Sequence, residues 1–576
     1  MHSQLRQKRW YGGKDMLFYK NLILQILKNK VFVFLLWILT LLTSLSYFFV
    51  QFSIDGNMDL ICAKDVLSEN EVLWKEALLS NTSLAYIFLI STTALTGFVF
   101  FMFFYRFIRS KKVQLGCVKA LGMKDRELLF SFEGFVILLS FLGEIPGVII
   151  GYFLSDVLTQ AYGKSYGVTG IVKGIHASSV LEGMGLPILF YGIVTFFCFF
   201  MVKGREPGVL MAGRVAYKKL GVSFHAADRI AGWIPVKEKF PFRIALRKPV
   251  SILLMLFAIL FFEVCVILGQ SLNVSSQKRM QSQMQGHDYA YDVRLNAVKD
   301  ETVKEGEIPY LYQEGEVIVG KGEKISQTMI GLMKESDLFA PENGKGERKG
   351  IPIAGTVYIN EGLSDMYGID TGDELIFFVN GTEKSFQVTD ILKNAQFESI
   401  YCNAEDLALL MGTQAGCFNG IWSMERTMYD GETESREQRM ERLERDAVSN
   451  RLSAVINQVT GVVIGMILLF LALFLNFQDN QRDMEILRLI GYKNGEIRKL
   501  FVDIYWPITI IFFVLGSVPA LFLAKMIQRG LSLAIHDYMP FGTNIGVFVL
   551  MFLMLNLLYG CVWSIFTGKL KTAGLS

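Results

Sequence analysis

The sequence predicts a polytopic α-helical membrane protein, with eight transmembrane helices in two four-helix repeats and an α/β domain outside the membrane between helices 5 and 6. Three observations support this fold class. The chain of 576 residues is 52% hydrophobic and only 19% charged, which is too apolar for an ordinary soluble enzyme. Its apolar residues are concentrated in runs of membrane-spanning length. A short motif between two such runs occurs again in the other half of the chain.

The apolar runs define the predicted membrane spans, because about 20 helical residues cross the hydrocarbon core of a bilayer. Eight runs approach that length. They cover residues 31–50, 84–107, 131–154, 186–203, 251–271, 455–477, 502–525 and 544–566. The first run is long and lacks a small-residue cleavage site, so it is predicted to be a span and not a signal peptide.

Every second loop between these runs is rich in basic residues. The N-terminal segment, the loop after run two, the connector after run four and the loop after run six are rich in Lys and Arg, and the intervening loops are poorer in them near the membrane. Cytoplasmic loops of membrane proteins carry this excess. We therefore expect a multi-pass protein of the cell membrane with both termini in the cytoplasm. The net charge of +3 gives no reason to expect a nucleic-acid partner.

This topology divides the chain into segments. A cytoplasmic lead-in with an amphipathic helix (1–30) precedes the first four-helix unit (31–203), which has a short outer loop (51–83). The rest comprises a cytoplasmic connector (204–250), helix 5 (251–271), a large outer domain (272–454), helices 6–8 (455–566) and a cytoplasmic tail (567–576).

The repeated motif spans residues 112–125 in the first half and 481–494 in the second. Both copies leave an apolar run, pass a glycine and enter the next run. When the copies are aligned, Lys119 falls on Arg488, Leu121 on Ile490 and Gly122 on Gly491. Repeats this far apart indicate a duplicated unit.

Each copy is predicted to be a short amphipathic helix that ends at its glycine, the usual residue after a helix C-terminus. In the second copy, Ile486, Leu487 and Ile490 share one face, and Glu485 and Arg488 point away from it. Such an elbow suits the docking of a soluble partner. For either copy alone, a membrane-surface turn without a partner is an equally weighted alternative.

The segment 272–454 is long enough for an independent domain. Its predicted strands and helix are Tyr289–Leu295, Gly315–Val319, Ile351–Ile359, Glu374–Val379, Lys384–Leu392 and the helix Ala404–Met411. Its polar ends, Asn273–Gln285 and Ser435–Asn457, are predicted to form a helical stalk, with a disordered charged linker as the alternative. Cys402 and Cys417 could form a disulfide here, although an outer compartment does not require one.

The sequence contains no recognisable catalytic or metal-binding pattern. Residues 315–322 approach a phosphate-binding loop, but Gly322 stands where a Ser or Thr must hold Mg²⁺, and the local pattern favours a hairpin. The five histidines are dispersed, so neither a zinc site nor a His-based triad is predicted. The chain is therefore expected not to be an enzyme and to hold no cofactor of its own.

Four acidic residues lie within or beside the predicted spans. Glu144 and Glu263 fall near the middle of spans three and five, and Glu133 and Asp503 lie near the inner ends of spans three and seven. Intramembrane acids are candidates for function, and a proton or ion route is one interpretation. We favour carboxyl groups that face the bundle interior, because two isolated acids make a poor relay.

The motif and the acid after it resemble the FtsX-like permeases of ABC transporters. That family's pattern is roughly Arg-Glu-apolar-Gly-apolar-Leu-Arg-Ala-apolar-Gly, with an acid that enters the next span. The copies here are residues 482–491, followed by Asp503, and residues 113–122, followed by Glu133. The outer stretch 355–375 is also similar to the extracytoplasmic domain of MacB-type permeases, with a strand, a short helix, a Gly-Asp turn and a strand.

The resemblance implies a permease subunit that pairs with a separate cytoplasmic ABC ATP-binding subunit in two copies, which would bind the ATP and Mg²⁺. The ATPase would dock on the elbows. The matching positions are Gln114, Lys119, Gly122 and Lys124 in the first copy and Arg482, Asp483, Arg488, Gly491 and Lys493 in the second. The family's Glu falls on Gln114 and Asp483, so the resemblance does not imply a fixed contact through that acid.

Three functions follow as hypotheses. The favoured one is efflux or extraction of an amphiphilic, peptide, antibiotic or lipid-linked substrate, in which ATPase closure moves the outer domain through the stalk. The alternative is a peptide-sensing module that acts with a sensor kinase or a cell-wall enzyme. The third is an ion-coupled secondary transporter that uses Glu144 and Glu263.

Overall fold

The structure is a computed structural model. It describes residues 24, 26, 27, 30–64, 66–166, 170–211, 249–319, 322–379, 381–396, 398–535 and 537–572. Most of the predicted lead-in and of the 204–250 connector lies outside the described residues. The chain forms two compact units. Unit 1 comprises Met1–Ile267, Ile456–Leu523 and Asn544–Ser576, and unit 2 comprises Leu268–Val455 and Ala524–Thr543.

Long helices dominate the described chain. In chain order, the helices are α1 Lys30–Cys62, α2 Glu69–Ser110, α3 Lys112–Ala120, α4 Asp125–Tyr166, α5 Ala177–Phe199, α6 Pro207–Met211, α7 Pro249–Met284, α8 Glu361–Tyr367, α9 Ala404–Met411, α10 Arg436–Leu489, α11 Asn494–Arg498, α12 Tyr505–Ile535 and α13 Ile545–Thr572. A π-helical turn, Lys499–Asp503, joins α11 to α12.

Seven helical segments among the described residues are long and apolar enough to cross a membrane. They are Lys30–Cys62, Asn81–Ser110, Asp125–Gln160, Ala177–Phe199, Met255–Met284, Asn494–Leu533 and Ile545–Ile565. The predicted sixth span lies within α10, where the apolar stretch found among the described residues, Gly461–Leu471, is shorter. A count of eight spans therefore stays a prediction.

Helices extend into the predicted outer loop 51–83 from both sides, because α1 continues to Cys62 and α2 begins at Glu69. The acid Asp55, expected in that loop, is instead buried within α1. Its carboxylate accepts hydrogen bonds from the His176 N–H (3.2 Å) and from the Ser179 hydroxyl (3.0 Å) at the start of α5. Because the Asp55 carboxylate accepts hydrogen bonds from other residues of the chain, this acid does not indicate an exposed loop.

Glycines bring α1 and α4 close together in unit 1. Gly143, Gly147 and Gly151 lie one helical turn apart on α4, and a Cβ atom at Gly147 would lie 2.6 Å from the Leu41 carbonyl oxygen of α1. Small residues at this spacing allow helix backbones to approach in membranes. Ser44 of α1 also donates a hydrogen bond of 2.9 Å to the Glu144 carbonyl oxygen. This row of glycines on α4 therefore fixes how the first and third spans pack.

The second half of unit 1 uses the same device. Gly461 and Gly465 of α10 face Cys265 and Phe262 of α7, where Cβ atoms would come within 2.2 Å and 2.8 Å. The two halves also meet inside unit 1, because the Phe32 and Phe474 rings lie 5.6 Å apart.

Unit 2 contains a nine-stranded sheet in the order β3-β7-β4-β6-β5-β2-β8-β1-β9, with an additional pairing of β3 with β2. The strands are β1 Tyr291–Lys299, β2 Ile308–Val319, β3 Glu323–Leu332, β4 Thr356–Asn360, β5 Glu374–Val379, β6 Thr382–Leu392, β7 Ser399–Asn403, β8 Phe418–Ser423 and β9 Gly431–Ser435. The β2–β3 pairing closes six of them into a ring, β3-β7-β4-β6-β5-β2. The remaining three extend from β2 through β8.

The ring has its own hydrophobic core. Buried apolar side chains from the strands and from α8 and α9 fill it, including Val317, Met329, Phe377, Ile400 and Leu407. A second cluster joins Trp422 of β8 to buried side chains of β2, β3, β6 and β7. Burial of these side chains is the main source of stability of such a layer.

The structure both confirms and corrects the predicted outer elements. The helix Ala404–Met411 is confirmed, and helices also cover most of the predicted stalk segments. The strand predicted over Ile351–Ile359 begins only at Thr356. Four strands were not predicted, namely β3, β7, β8 and β9. Cys402 and Cys417 are both buried free thiols, so no disulfide joins them.

Candidate functional site: the repeated elbows

The first elbow consists of α3, the turn at Gly122 and the start of α4. Gly122 has φ of +96°, which is the left-handed conformation that glycine adopts readily after a helix. The Lys119 ammonium bridges the turn to the Asp125 carboxylate at 2.7 Å. It also donates to the carbonyl oxygens of Val202 (3.1 Å) and Arg205 (2.9 Å). Lys119 therefore holds the elbow to the segment that follows α5.

The second elbow repeats this arrangement with a constant offset of 369 residues, the separation of Gly122 and Gly491. Gly491 has φ of +103°. The Arg488 guanidinium Nε donates to the Asn494 side-chain oxygen at 3.2 Å, and these two residues match Lys119 and Asp125. We call this side-chain bridge across the turn the clasp. It occurs in both elbows: the first clasp joins two charged side chains, and the second joins a charged side chain to a neutral one.

The helix that follows each turn begins in the same way. The Glu127 carboxylate accepts a hydrogen bond of 2.9 Å from the Lys124 N–H, and the Glu496 carboxylate accepts one of 2.9 Å from the Lys493 N–H. A glutamate at the third helical position that reaches back is one half of a capping box. The offset links Lys124 to Lys493 and Glu127 to Glu496, so the two elbows agree in backbone and capping.

The packed sides of the elbows also match. Leu115 and Leu128 are buried in the first copy, and the corresponding Met484 and Ile497 are buried in the second. In the first copy, Gly116 lies against α6, where a Cβ atom would be 2.8 Å from the Leu210 Cβ atom. One face of each elbow therefore packs against the chain's own helices.

The outward sides carry exposed apolar residues. Leu121 is 88% exposed in the first elbow, and Leu489 and Ile490 are 87% and 68% exposed in the second. Ile486, on the predicted apolar face with Ile490, is also exposed, whereas Met484 is buried. We call Leu121, Leu489 and Ile490 the elbow tips.

The predicted site residues have different environments. Gln114, Lys124, Asp483 and Lys493 are exposed, whereas the Lys119 side chain is only 9% exposed. Arg482 lies within α10, but its side chain is outside the described residues. The sequence reasoning missed Asp125, Asn494 and the two capping glutamates, although the constant offset of the repeat could have found them.

The two central acids are buried in unit 1. Neither carboxylate oxygen of Glu144 has a hydrogen-bond partner among the described residues. Glu263 accepts a hydrogen bond of 3.3 Å from the Ser517 hydroxyl of α12, beside Gly516. Each acid lies on a helix that packs through glycine.

The two acids near the span ends also differ. Asp503 accepts hydrogen bonds from the Trp563 indole N–H (2.8 Å) and from Arg498 Nε (3.3 Å), so it joins the start of α12 to α13. Glu133 faces Gly192 of α5, and its second carboxylate oxygen has no partner among the described residues. The described part of the chain contains no group of three or more His, Cys, Asp or Glu residues that could hold a metal ion.

The repeated elbows lie within two segments that match a known family. Residues 86–207 and residues 459–573 each match the FtsX-like permease C-terminal family. No curated protein matches the chain. The first matched segment contains the first elbow, and the second matched segment contains the second elbow. Two segments of the chain, one around each elbow, are therefore similar to the C-terminal domain of FtsX-like permeases.

Proposed function

We propose that this chain is the permease subunit of an ABC transporter whose separate ATPase docks on the two elbows. FtsX-like permeases work with cytoplasmic ABC ATPase subunits, and the match occurs twice in this chain. One chain then supplies both docking elements for a pair of ATPase subunits, which bind the ATP and Mg²⁺. The docking surface comprises the elbow tips and the polar residues around them.

The observation that supports this proposal best is the exposure of apolar side chains at equivalent positions of both elbows. Leu121 and Ile490 correspond by the constant offset, and Leu489 is adjacent. Exposed apolar residues in a cluster mark interaction surfaces more often than isolated ones do. The rest of each elbow is held rigidly by its clasp and cap, which suits a surface that transmits force.

Two helices support a role in moving the outer unit. α7 runs without interruption from Pro249 to Met284, and α10 runs from Arg436 to Leu489. Each contributes residues to both units. We propose that ATPase closure at the elbows moves unit 2 through these helices, and that this motion exports or extracts an amphiphilic, peptide, antibiotic or lipid-linked substrate at the outer face.

The test is co-purification with a co-expressed candidate ABC ATP-binding subunit, after Leu121→Glu and Leu489→Glu substitutions. The tips contact no described core, so both variants should fold, and the doubly substituted protein should lose the ATPase or its stimulation. Ile353→Glu is the matched control, since Ile353 is 77% exposed but belongs to unit 2. Undiminished complex formation by the double variant would exclude the tips as the docking surface.

A further inference from the structure

A cavity of about 720 Å³ lies within unit 2. Its walls come from the outer end of α7, from α8, from the first residues of β3 and from the segment 537–540 that follows α12. The volume falls within the range of about 300–1,000 Å³ that is typical of ligand sites in proteins. The cavity has no part in the elbows, so the proposed function leaves it unexplained.

One wall of the cavity is an open strand edge. β3 pairs with β2 along its whole length, from Glu323 to Leu332, but pairs with β7 only from Thr328 onward. No described strand pairs with the other side of residues 323–327. The Thr328 N–H points to the β7 side, where it donates to the Glu398 carbonyl oxygen at 2.7 Å. Because main-chain groups alternate along a strand, those of Lys324 and Ser326 point to this same, open side.

An open edge inside a cavity is a template for an extended peptide. Lys324 and Ser326 present two N–H and two C=O groups there, and both residues line the cavity. Exposed edges of this kind bind peptides by strand addition, in which main-chain hydrogen bonds provide affinity and side-chain pockets provide specificity.

A carboxylate on another wall supplies a charge for recognition. Glu361 of α8 lines the cavity and is half-buried, and it has no hydrogen-bond or ion-pair partner among the described residues. Burial raises the pKa of Glu361, and the nearby Asp365 adds to this, whereas Lys278 and Lys393 oppose it. A bound cation would satisfy this carboxylate.

Most cations around the cavity already have partners. Arg279 forms an ion pair of 2.6 Å with Asp537, and the Lys278 ammonium donates to the Phe541 carbonyl oxygen at 2.9 Å. Lys324 donates to Glu316 at 2.9 Å, along the β2–β3 hairpin. The apolar parts of the wall include Ile325 and Tyr367. Lys393, the remaining cation of the lining, is exposed and forms no ion pair among the described residues. The cavity thus offers an open edge, an apolar surface and Glu361, an acid without a described ion-pair partner.

We infer that this cavity binds an extended peptide that adds to the open edge of β3 and places a basic side chain at Glu361. The inference deepens the proposed function, since it selects a peptide from the proposed substrate classes. Binding itself requires no ATPase, so it can be tested even where the docking test fails.

The experiment uses the full chain in nanodiscs, without ATPase, and two fluorescent heptapeptide pools that differ only in a central Lys or Gln. We expect the Lys pool to bind roughly tenfold more tightly, as for a charge-assisted hydrogen bond. Glu361→Gln should remove this preference, whereas Asp337→Asn, a fully exposed acid elsewhere in unit 2, should retain it. Equal binding of the two pools, or binding of neither, would overturn the inference.

A second pair of variants tests the strand edge. Ser326→Pro removes an N–H that points to the open side, so the β2–β3 ladder keeps its hydrogen bonds, and proline is tolerated at such positions. We expect severalfold weaker binding of the Lys pool, with Ser326→Ala unchanged. An unchanged affinity of Ser326→Pro, with an unchanged melting temperature, would show that the ligand does not pair with β3.

Discussion

Lys119 and Asp125 close the turn at Gly122, with 2.7 Å between the ammonium nitrogen and a carboxylate oxygen. In the second elbow, Arg488 and Asn494 occupy the same positions, 3.2 Å apart. The first clasp also includes the carbonyl oxygens of Val202 and Arg205. Lys119, which the sequence resemblance assigns to partner docking, therefore also holds the elbow in shape.

We expect Lys119→Ala to destabilise the protein by about 2 kcal/mol, because a largely buried ion pair and two further hydrogen bonds are lost. The thermal unfolding midpoint of the detergent-solubilised protein should fall. Lys124→Ala is the control, since this side chain is exposed beside the same turn. Equal midpoints for the two variants would contradict a structural role of Lys119.

Gly147→Ala should disturb the packing of α4 on α1. The added Cβ atom would lie 2.6 Å from the Leu41 carbonyl oxygen and 2.8 Å from the Ser44 Cβ atom, so a backbone must move. Overpacking of this kind costs about 1–3 kcal/mol. Gly185→Ala on α5 is the matched control, since its Cβ atom would meet nothing within 4 Å. A thermal unfolding comparison should show a loss for the first variant and none for the second.

The stability of unit 2 should depend on pH through His287. This residue is fully buried, its Nε2–H donates to the Asn394 carbonyl oxygen at 2.6 Å, and Nδ1 lies 3.2 Å from the Tyr289 hydroxyl. Burial lowers the pKa of His287 from its usual 6.5 to about 4, although the bond to Asn394 opposes this and Arg439 adds to the decrease.

Between pH 6.5 and 4 the unfolded chain binds a proton at this site that the native chain does not bind. His287 therefore lowers the free energy of unfolding as the pH falls through that window, by about 3 kcal/mol in all. The difference in free energy of unfolding between the native protein and His287→Gln should change by that amount from pH 7 to pH 4. A constant difference would refute the assignment.

The intramembrane acids should not be needed for an ATP-driven cycle. Glu144 and Glu263 are buried, and only Glu263 has a described side-chain partner, Ser517. We expect Glu144→Gln and Glu263→Gln to keep ATPase stimulation and substrate movement within about twofold, a change of under 0.5 kcal/mol in the barrier. Loss of movement with ATPase activity intact would favour an ion-coupled transporter instead.

The long helices and α9 were predictable because their signals are local. Helical spacing identifies Ala404–Met411 directly, and continuous apolar runs identify the spans. The missed strands lack the alternation on which strand prediction depends. All six residues of β8 are buried, and β9 is a short polar edge strand.

The packing of the second elbow could not be predicted from its sequence pattern. Periodicity places Ile486, Leu487 and Ile490 on one face, but it does not show whether that face packs on the chain itself or stays exposed. Ile486 and Ile490 are exposed, and Met484, which lies outside that face, packs inward. The closure of six strands into a ring was equally hidden, since it depends on the pairing of β2 with both β3 and β5.

The joining of both elbows in one polypeptide has a consequence for any partner that binds them. One clasp has two charged side chains, Lys119 and Asp125, and the other pairs Arg488 with the neutral Asn494. Two identical partner subunits would therefore contact two different elbow surfaces, so the complex could not have exact twofold symmetry. The two sites can therefore differ in affinity, and a partner that binds one elbow need not bind the other equally well.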